Sequence, residues 1–119
     1  MNPMLKILSI LSLLAFAPTA FACDYPARID IPNGQTATKE DMLTGQRSVK
    51  KYVANLEEYL ECIVAEEKLA RSEMDGLDAE DEQLREDLLN KKYNAAVDEM
   101  ETVAAEFNTA VQTYRRRDD

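Results

Sequence analysis

The sequence predicts an all-α fold: an antiparallel two-helix hairpin with coiled-coil-like spacing, preceded by an extended N-terminal arm that one disulfide ties to it. Three observations predict this fold: an export signal at the N-terminus, two cysteines after it, and two long stretches with apolar residues at steps of three or four. We expect a signal peptide at 1–22, an extended arm at 23–37 and the hairpin at 38–119. A length of 119 residues allows one domain.

The first 22 residues have the order of a secretory signal peptide. Lys6 is their only charged side chain, an apolar run follows at 7–17, and Ala20 and Ala22 supply small residues at positions −3 and −1 of a cleavage site. The run is too short to remain as a membrane anchor, which needs about 20 apolar residues. We therefore expect cleavage after Ala22, a periplasmic or secreted protein, and no membrane span in the mature chain.

Cys23 directly follows the expected cleavage site, which is where the modified cysteine of a lipoprotein stands. The lipoprotein pattern usually has Leu at position −3 and a small residue at −2, whereas this chain has Ala20 and Phe21. Ordinary cleavage is therefore the favoured interpretation. A lipid-anchored envelope protein, with Cys62 unpaired, stays open as the alternative.

Cys23 and Cys62 are the two cysteines of the chain, and an exported protein is expected to pair them. The arm is long enough for this. It can span about 46 Å at ~3.1 Å per residue, while Cys62 lies about 35 Å along a helix that begins near residue 39. The closed loop would stabilise the fold by roughly 4 kcal/mol. Since a Cys-x-x-Cys motif is lacking, we expect a structural bond.

The first helix is predicted at about 39–74. Thr38 is a good N-cap, Glu40 and Asp41 suit the first turn, and Gly76 suits the position after the end. The predicted apolar seam of this helix consists of Met42, Val49, Val53, Leu56, Leu60, Ile63, Ala70 and Met74.

The second helix is predicted at about 79–117, with Asp78 as its N-cap. A step of five residues between Leu88 and Tyr93 predicts a stutter in its seam. The short connection between two helices of similar length predicts an antiparallel hairpin. The predicted seam consists of Leu84, Leu88, Tyr93, Val97, Met100, Ala104, Phe107, Val111 and Tyr114.

A second stripe of the first helix, beside the seam, is predicted to receive the arm. Gly45 allows a close backbone approach, Tyr52 and Tyr59 offer apolar area, and Cys62 anchors the arm. The arm residues expected to pack on this face are Tyr25, Pro26, Ile29, Ile31 and Pro32.

Composition argues against several classes of function. The chain has no histidine, so it lacks an imidazole base and a His-based metal site. A net charge of −9 argues against binding nucleic acid or anionic lipid. A two-helix hairpin also encloses no pocket that would separate the pKa values of paired carboxylates. We therefore expect no enzymatic activity, no catalytic residue, no cofactor and no metal.

The segment around the predicted hairpin connection is strongly acidic. From Glu57 to Asp87 it has 13 carboxylates and three basic side chains. The favoured interpretation is a solvated surface that keeps a narrow core soluble. A basic protein partner or weak calcium binding are the alternatives. Asp75 to Glu86 has the length of an EF-hand loop, but Glu80 stands where that loop requires glycine.

The start of the mature chain carries a motif of moderate specificity. Its elements are Cys23-x-x-Pro26, Ile31-Pro32-Asn33-Gly34, Ala37-Thr38 and Met42-x-x-x-Gln46. The motif resembles a group of small exported proteobacterial helical proteins without an assigned activity. Members share a cysteine after the signal peptide, a Pro-Asn/Asp-Gly turn and a second cysteine within a helix. The resemblance covers about residues 23–63, implies export and the cysteine pair, and carries over no catalytic or binding residue.

These observations favour a non-enzymatic exported protein that acts through contacts with an unidentified protein partner or with itself. Besides the lipid-anchored alternative, a periplasmic chaperone-like or stress-response binder is a third hypothesis. It would use tyrosine and methionine side chains as a hydrophobic groove.

Overall fold

The computed structural model describes residues 23–117, which form two helices and an extended segment before them. Helix α1 is Lys39–Ser72 and helix α2 is Ala79–Arg116. The helices pack along each other, and a disulfide joins the N-terminal segment to α1, so the predicted fold class is confirmed. The predicted signal peptide at 1–22 lies outside the described residues. Neither helix is both long enough and apolar enough to cross a membrane.

Helix α1 begins with a reciprocal capping box. The Thr38 hydroxyl accepts a hydrogen bond of 3.1 Å from the Asp41 backbone N–H, and the Asp41 carboxylate accepts one of 2.8 Å from the Thr38 N–H. The backbone hydrogen bond from Thr38 is also the main reason why the pKa of Asp41 lies below its usual value. The first turn thus forms as the sequence predicts.

The connection between the helices covers residues 73–78, because α1 ends at Ser72 rather than at the predicted Met74. The backbone N–H groups of Glu73 and Met74 donate to carbonyls three residues back, at 3.2 Å each, which tightens and closes the last turn. Gly76 follows in the left-handed region, with φ of 71°.

Helix α2 begins at the N-cap Asp78, whose carboxylate accepts a hydrogen bond of 2.8 Å from the Asp81 N–H. It ends at Arg116, one residue before the predicted end. Arg117 then donates to the carbonyl oxygens of Gly34 at 3.3 Å and Ala37 at 2.7 Å. These bonds place the end of α2 beside the start of α1, as an antiparallel hairpin requires.

The buried stripe of α2 differs in part from the predicted seam. Ala96, Val103 and Ala110 are its buried residues, spaced seven apart. Four residues of the predicted seam are exposed instead, namely Leu84, Leu88, Tyr93 and Ala104. The other five are partly buried and pack against the core, namely Val97, Met100, Phe107, Val111 and Tyr114. Leu89, seven residues before Ala96, also packs against the core, so the heptad continues across residues 88–93 without the predicted stutter.

The stripe of α1 agrees better with its prediction. Five predicted seam residues are buried, and so are Gly45 and Tyr52 of the adjacent stripe, but Met74 is exposed. The buried seam residues are Met42, Val49, Leu56, Leu60 and Ile63.

Burial is confined to one half of the hairpin. Within the described chain, no side chain between residues 64 and 95 is fully buried, whereas Leu56, Ala96 and Val103 are completely inaccessible to solvent. We call residues 64–95 the tip, and the remaining described residues, 23–63 and 96–117, the base. In the tip the arm is absent and the two helices contact only each other. Each helix can therefore cover only one stripe of its partner's surface.

Truncating a buried seam residue tests this division. We expect Leu56→Ala to lower the free energy of unfolding by about 2–5 kcal/mol, because it leaves a cavity in the packed base. Leu84→Ala removes a side chain that is 57 % exposed and should cost less than about 1 kcal/mol. Chemical denaturation followed by circular dichroism measures both free energies of unfolding. Equal losses in the two variants would show that the packed core is assigned to the wrong part of the hairpin.

Candidate protein-interaction surface

The arm lies in the groove between the two helices, over the base. Ile29 and Ile31 pack against the core cluster that includes Tyr52 of α1 and Val103 of α2. Because successive side chains of an extended segment point to opposite sides, these two residues, two positions apart, point to the same side. The arm is therefore a third layer that closes one side of the helix interface.

Pro32 makes the closest approach of the arm to α1. A Cβ atom placed on Gly45 would lie 2.7 Å from Cγ of Pro32 and 3.2 Å from Cε2 of Phe107. These separations leave no room for a side chain, so glycine is required at this position for steric reasons. The predicted role of Gly45 as a site of close approach matches this geometry, and Phe107 of α2 is an additional contact.

The chain turns from the arm into α1 at residues 33–37. The carbonyl oxygen of Asn33 accepts from the N–H groups of Thr36 at 3.1 Å and Ala37 at 2.8 Å, and its side chain accepts from the Gln35 N–H at 2.9 Å. Gly34 lies against the backbone of α2 at Ala110. This turn therefore rests on the end of α2.

Cys23 is bonded to Cys62, which confirms the predicted disulfide. The two Cα atoms are 5.7 Å apart, within the usual range for such a bond, and 39 positions separate the residues in sequence. Oε2 of Glu66 lies 3.3 Å from Sγ of Cys23. The bond holds the start of the arm at the point along α1 where the packed base ends and the tip begins.

Next to the disulfide, Tyr25 packs edge-on against Tyr59 of α1. The ring centroids are 5.0 Å apart and the ring planes are inclined by 73°. Pro26 is half-buried beside them. Tyr25 leaves half of its own surface exposed but covers the ring of Tyr59.

A polar network fastens the arm to α2. Arg28 donates from Nε to Glu99 at 2.8 Å and from Nη2 to Glu106 at 2.9 Å, and the buried Tyr52 hydroxyl donates to Glu99 at 3.2 Å. Burial, together with the negative charge of Glu99, raises the pKa of Tyr52 to about 12. Glu99 therefore links the arm, α1 and α2.

The sequence analysis missed this network, although a signal for it exists. Arg28 is the one basic residue between Cys23 and Thr38, and Glu99 and Glu106 stand seven positions apart on one face of α2. The predicted packing face was restricted to α1, whereas the arm contacts both helices.

In the tip, ion pairs take the place of a core. Glu67 of α1 accepts hydrogen bonds from Arg85 of α2 at 2.8 and 2.9 Å and from Arg71 at 3.1 Å, and Arg71 also donates to the Glu82 carbonyl at 3.1 Å. The hydrogen bonds from Arg85 are the first cause of the lowered pKa of Glu67. This cluster joins the helices where no side chain is fully buried.

Apolar side chains are exposed mainly in the tip. Outside it, Tyr25 and Leu43 are the large apolar residues of the described chain that are exposed. Those in the tip, with exposed fractions from 39 to 57 %, are Val64, Leu69, Met74, Leu84, Leu88 and Tyr93.

Two adjoining shallow depressions bring part of this apolar area together on α1. Leu60, Val64 and Tyr93 line one, Cys62 and Leu69 line the other, and both share Ala65. Glu61 also lines both depressions, and their other lining residues are Glu57, Glu58, Glu66 and Lys68. We call the residues that line these two depressions the tip surface.

The tip surface combines exposed apolar side chains with carboxylates. Within residues 23–117, no cluster of His, Cys, Asp or Glu has the arrangement of a metal site. The carboxylates of Glu57, Glu58 and Glu61 have no ion pair with another described residue, so they face solvent as free charges. The surface can therefore bind apolar groups and cations together.

The chain matches no known protein family, and it is similar to no curated protein and to no solved structure.

Removing the disulfide tests its role in holding the arm. We expect Cys62→Ser to lower the free energy of unfolding by about 2–4 kcal/mol, since it releases the constraint on the unfolded chain. The arm contacts of Tyr25 should weaken as well, and hydrogen exchange of α1 amides near Tyr59 should become faster. Unchanged stability and exchange would show that arm packing is independent of the bond.

The buried phenol of Tyr52 predicts a loss of stability at high pH. An unfolded tyrosine ionises near pH ~10, but the folded pKa of Tyr52 is about 12. The native state therefore holds this proton longer, so its contribution is complete below pH ~10 and is lost as the pH rises towards about 12. Denaturant unfolding at about pH 9 and about pH 11 measures the loss. The loss of stability between these pH values should be smaller in Tyr52→Phe than in the parent protein. Equal losses in the two proteins would contradict the assignment of this pH dependence to Tyr52.

Proposed function

We propose that this protein is exported to the periplasm or beyond, has no enzymatic activity and acts through protein–protein contacts made by its tip surface. The observation that carries the proposal is the concentration of exposed apolar side chains in the half of the hairpin that the arm does not cover. Single exposed apolar residues are common on soluble proteins, but a contiguous group bordered by polar residues is typical of an interaction surface.

The construction of the tip supports this role. Its helices continue without a break through the tip surface, and the cluster of Glu67, Arg71 and Arg85 joins them. The backbone of the tip surface is therefore already helical before a partner binds, which reduces the entropy lost on binding.

Export is supported by the cysteine chemistry. Structural disulfides persist in an oxidising compartment and are rare in the cytosol. The Cys23–Cys62 bond joins the arm to α1, so its presence favours an exported protein. The N-terminal pattern typical of a signal peptide agrees with export. The intact mass of the mature protein tests both features, with cleavage after Ala22 and a gain of two hydrogens on reduction as the expected results.

The two alternatives find less support in the geometry. A lipid on the Cys23 sulfur would exclude the bond to Cys62, so the lipid-anchored hypothesis requires a different arrangement of the arm. A chaperone-like groove of tyrosine and methionine side chains would need those groups accessible. Tyr52 and Met42 are buried, and Tyr25 packs on Tyr59. Among the described tyrosine and methionine residues, Tyr25, Met74 and Tyr93 are exposed.

Site-specific photo-crosslinking in the compartment of the native host tests the proposed function. A photoreactive residue at Val64 or Tyr93 should give a discrete adduct of higher mass, because both positions lie in the tip surface. The same residue at Asn108, which is exposed on α2 in the base, is the matched control and should give none. The absence of adducts at all three positions, together with strictly monomeric sedimentation, would contradict the proposal.

A further inference from the structure

We propose that the tip surface binds a cationic amphipathic helix of a partner protein; this inference rests on the proposed function and adds the chemistry of the partner. The apolar side of that helix would pack on Val64, Leu69 and Tyr93. Its lysine or arginine side chains would lie against Glu57, Glu58 and Glu61. The charged side chains of this surface are four carboxylates and one lysine, so a helix with an apolar stripe and mainly basic side chains beside it matches the surface.

The shape of the surface suits a helix of about three turns. From Glu57 to Leu69 the surface follows α1 for about 18 Å at ~1.5 Å per residue, and Tyr93 of α2 closes one side of it. A partner helix of about 12 residues spans this length and presents anchors at spacings of three, four and seven.

The charge of the molecule is concentrated at this end. Residues 56–95, which are the tip and the adjoining turns of α1, carry 13 acidic and five basic side chains, whereas the other described residues carry eight of each. The negative potential of the described chain therefore originates in the tip and these adjoining turns. Such a potential attracts cationic segments and accelerates their association, with a strong dependence on ionic strength.

The carboxylates of the tip surface are free to accept a partner's cations. Glu67, Glu99 and Glu106 are ion-paired within the chain, but Glu57 and Glu58 have no such pair among residues 23–117. A bound lysine or arginine would thus form a new pair without breaking an existing one.

A second copy of this chain fits the surface less well. A twofold dimer places the same patch of both copies face to face, which would bring Glu57, Glu58 and Glu61 against their own equivalents. Like charges in opposition across an interface are unfavourable. The net negative charge of the tip likewise opposes docking on an anionic membrane.

Titration of the mature, disulfide-bonded protein with a synthetic peptide tests the inference. The probe is a labelled helical peptide of about 14 residues, made of leucine on one face and lysine on the other, and fluorescence anisotropy measures the Kd. We expect saturable binding that weakens as salt is added. A peptide of the same composition in scrambled order should bind at least about tenfold more weakly.

Two triple variants separate local docking from general charge attraction. Glu57→Gln, Glu58→Gln and Glu61→Gln together should weaken binding by about tenfold or more. Glu73→Gln, Glu86→Gln and Glu101→Gln remove the same charge from exposed positions outside the surface and should weaken it by less than about threefold. Equal losses in the two triple variants would overturn the assignment of the surface.

Apolar docking is tested by single substitutions at exposed positions, where the fold is expected to tolerate them. Leu69→Ser should weaken binding by about fivefold or more, and Leu84→Ser, an equally exposed control in the tip, by less than about twofold. Circular dichroism checks that both variants keep the helical content of the parent. No difference between these two variants would also overturn the assignment.

The outcomes distinguish this inference from the proposed function. If the amphipathic peptide does not bind while Val64 still crosslinks to a protein, the cationic helix is wrong and a protein-contact function stands. A crosslinked adduct of twice the protomer mass would make a second copy the occupant and would also overturn the cationic helix. If neither peptide binding nor a crosslink occurs, both proposals fail.

Discussion

The disulfide between Cys23 and Cys62 determines how far a third layer of chain extends along the hairpin. From the turn at Gly34 to the level of Cys62, the arm covers one side of the helix interface, and the buried side chains of residues 23–117 lie along this length, up to the neighbouring Ile63. Beyond Cys62, two helices alone have to bury their apolar stripes, and a two-helix contact leaves much of each stripe in water. The bond thereby separates a packed base from an open tip.

Two charged clusters complement this division. In the base, Glu99 joins Arg28 of the arm to Tyr52 of α1, so the third layer is held by directional contacts as well as by apolar packing. In the tip, Glu67 is shared by two arginines and joins helices that lack a core. Exposed pairs add little stability singly, whereas a shared carboxylate between two elements also defines their register. The tip can therefore stay ordered while its apolar side chains remain available for contact.

Individual residues show where sequence reasoning succeeded and where it did not. Thr38 and Asp78 marked the helix starts correctly, because a cap depends on neighbours within one turn. The seam of α2 was predicted correctly only in part, since the analysis favoured large apolar residues such as Leu84, which is exposed, over Ala96, which is completely buried. Hydrophobicity alone does not reveal which face of a helix the other segments of the chain cover. Arg28 was overlooked because its partners lie more than 70 positions away in the chain.

The sequence by itself determined the two helices, their antiparallel course, the extended arm and the pairing of the cysteines. Those features follow from local caps, turn residues, apolar periodicity and chain reach, all of which are properties of neighbouring residues or of simple length. The tertiary structure decided which stripe of α2 is buried, that the arm contacts both helices, and that burial ends near Ile63. These depend on the relative placement of three segments, and an exposed leucine in the tip has the same sequence pattern as a buried one in the base.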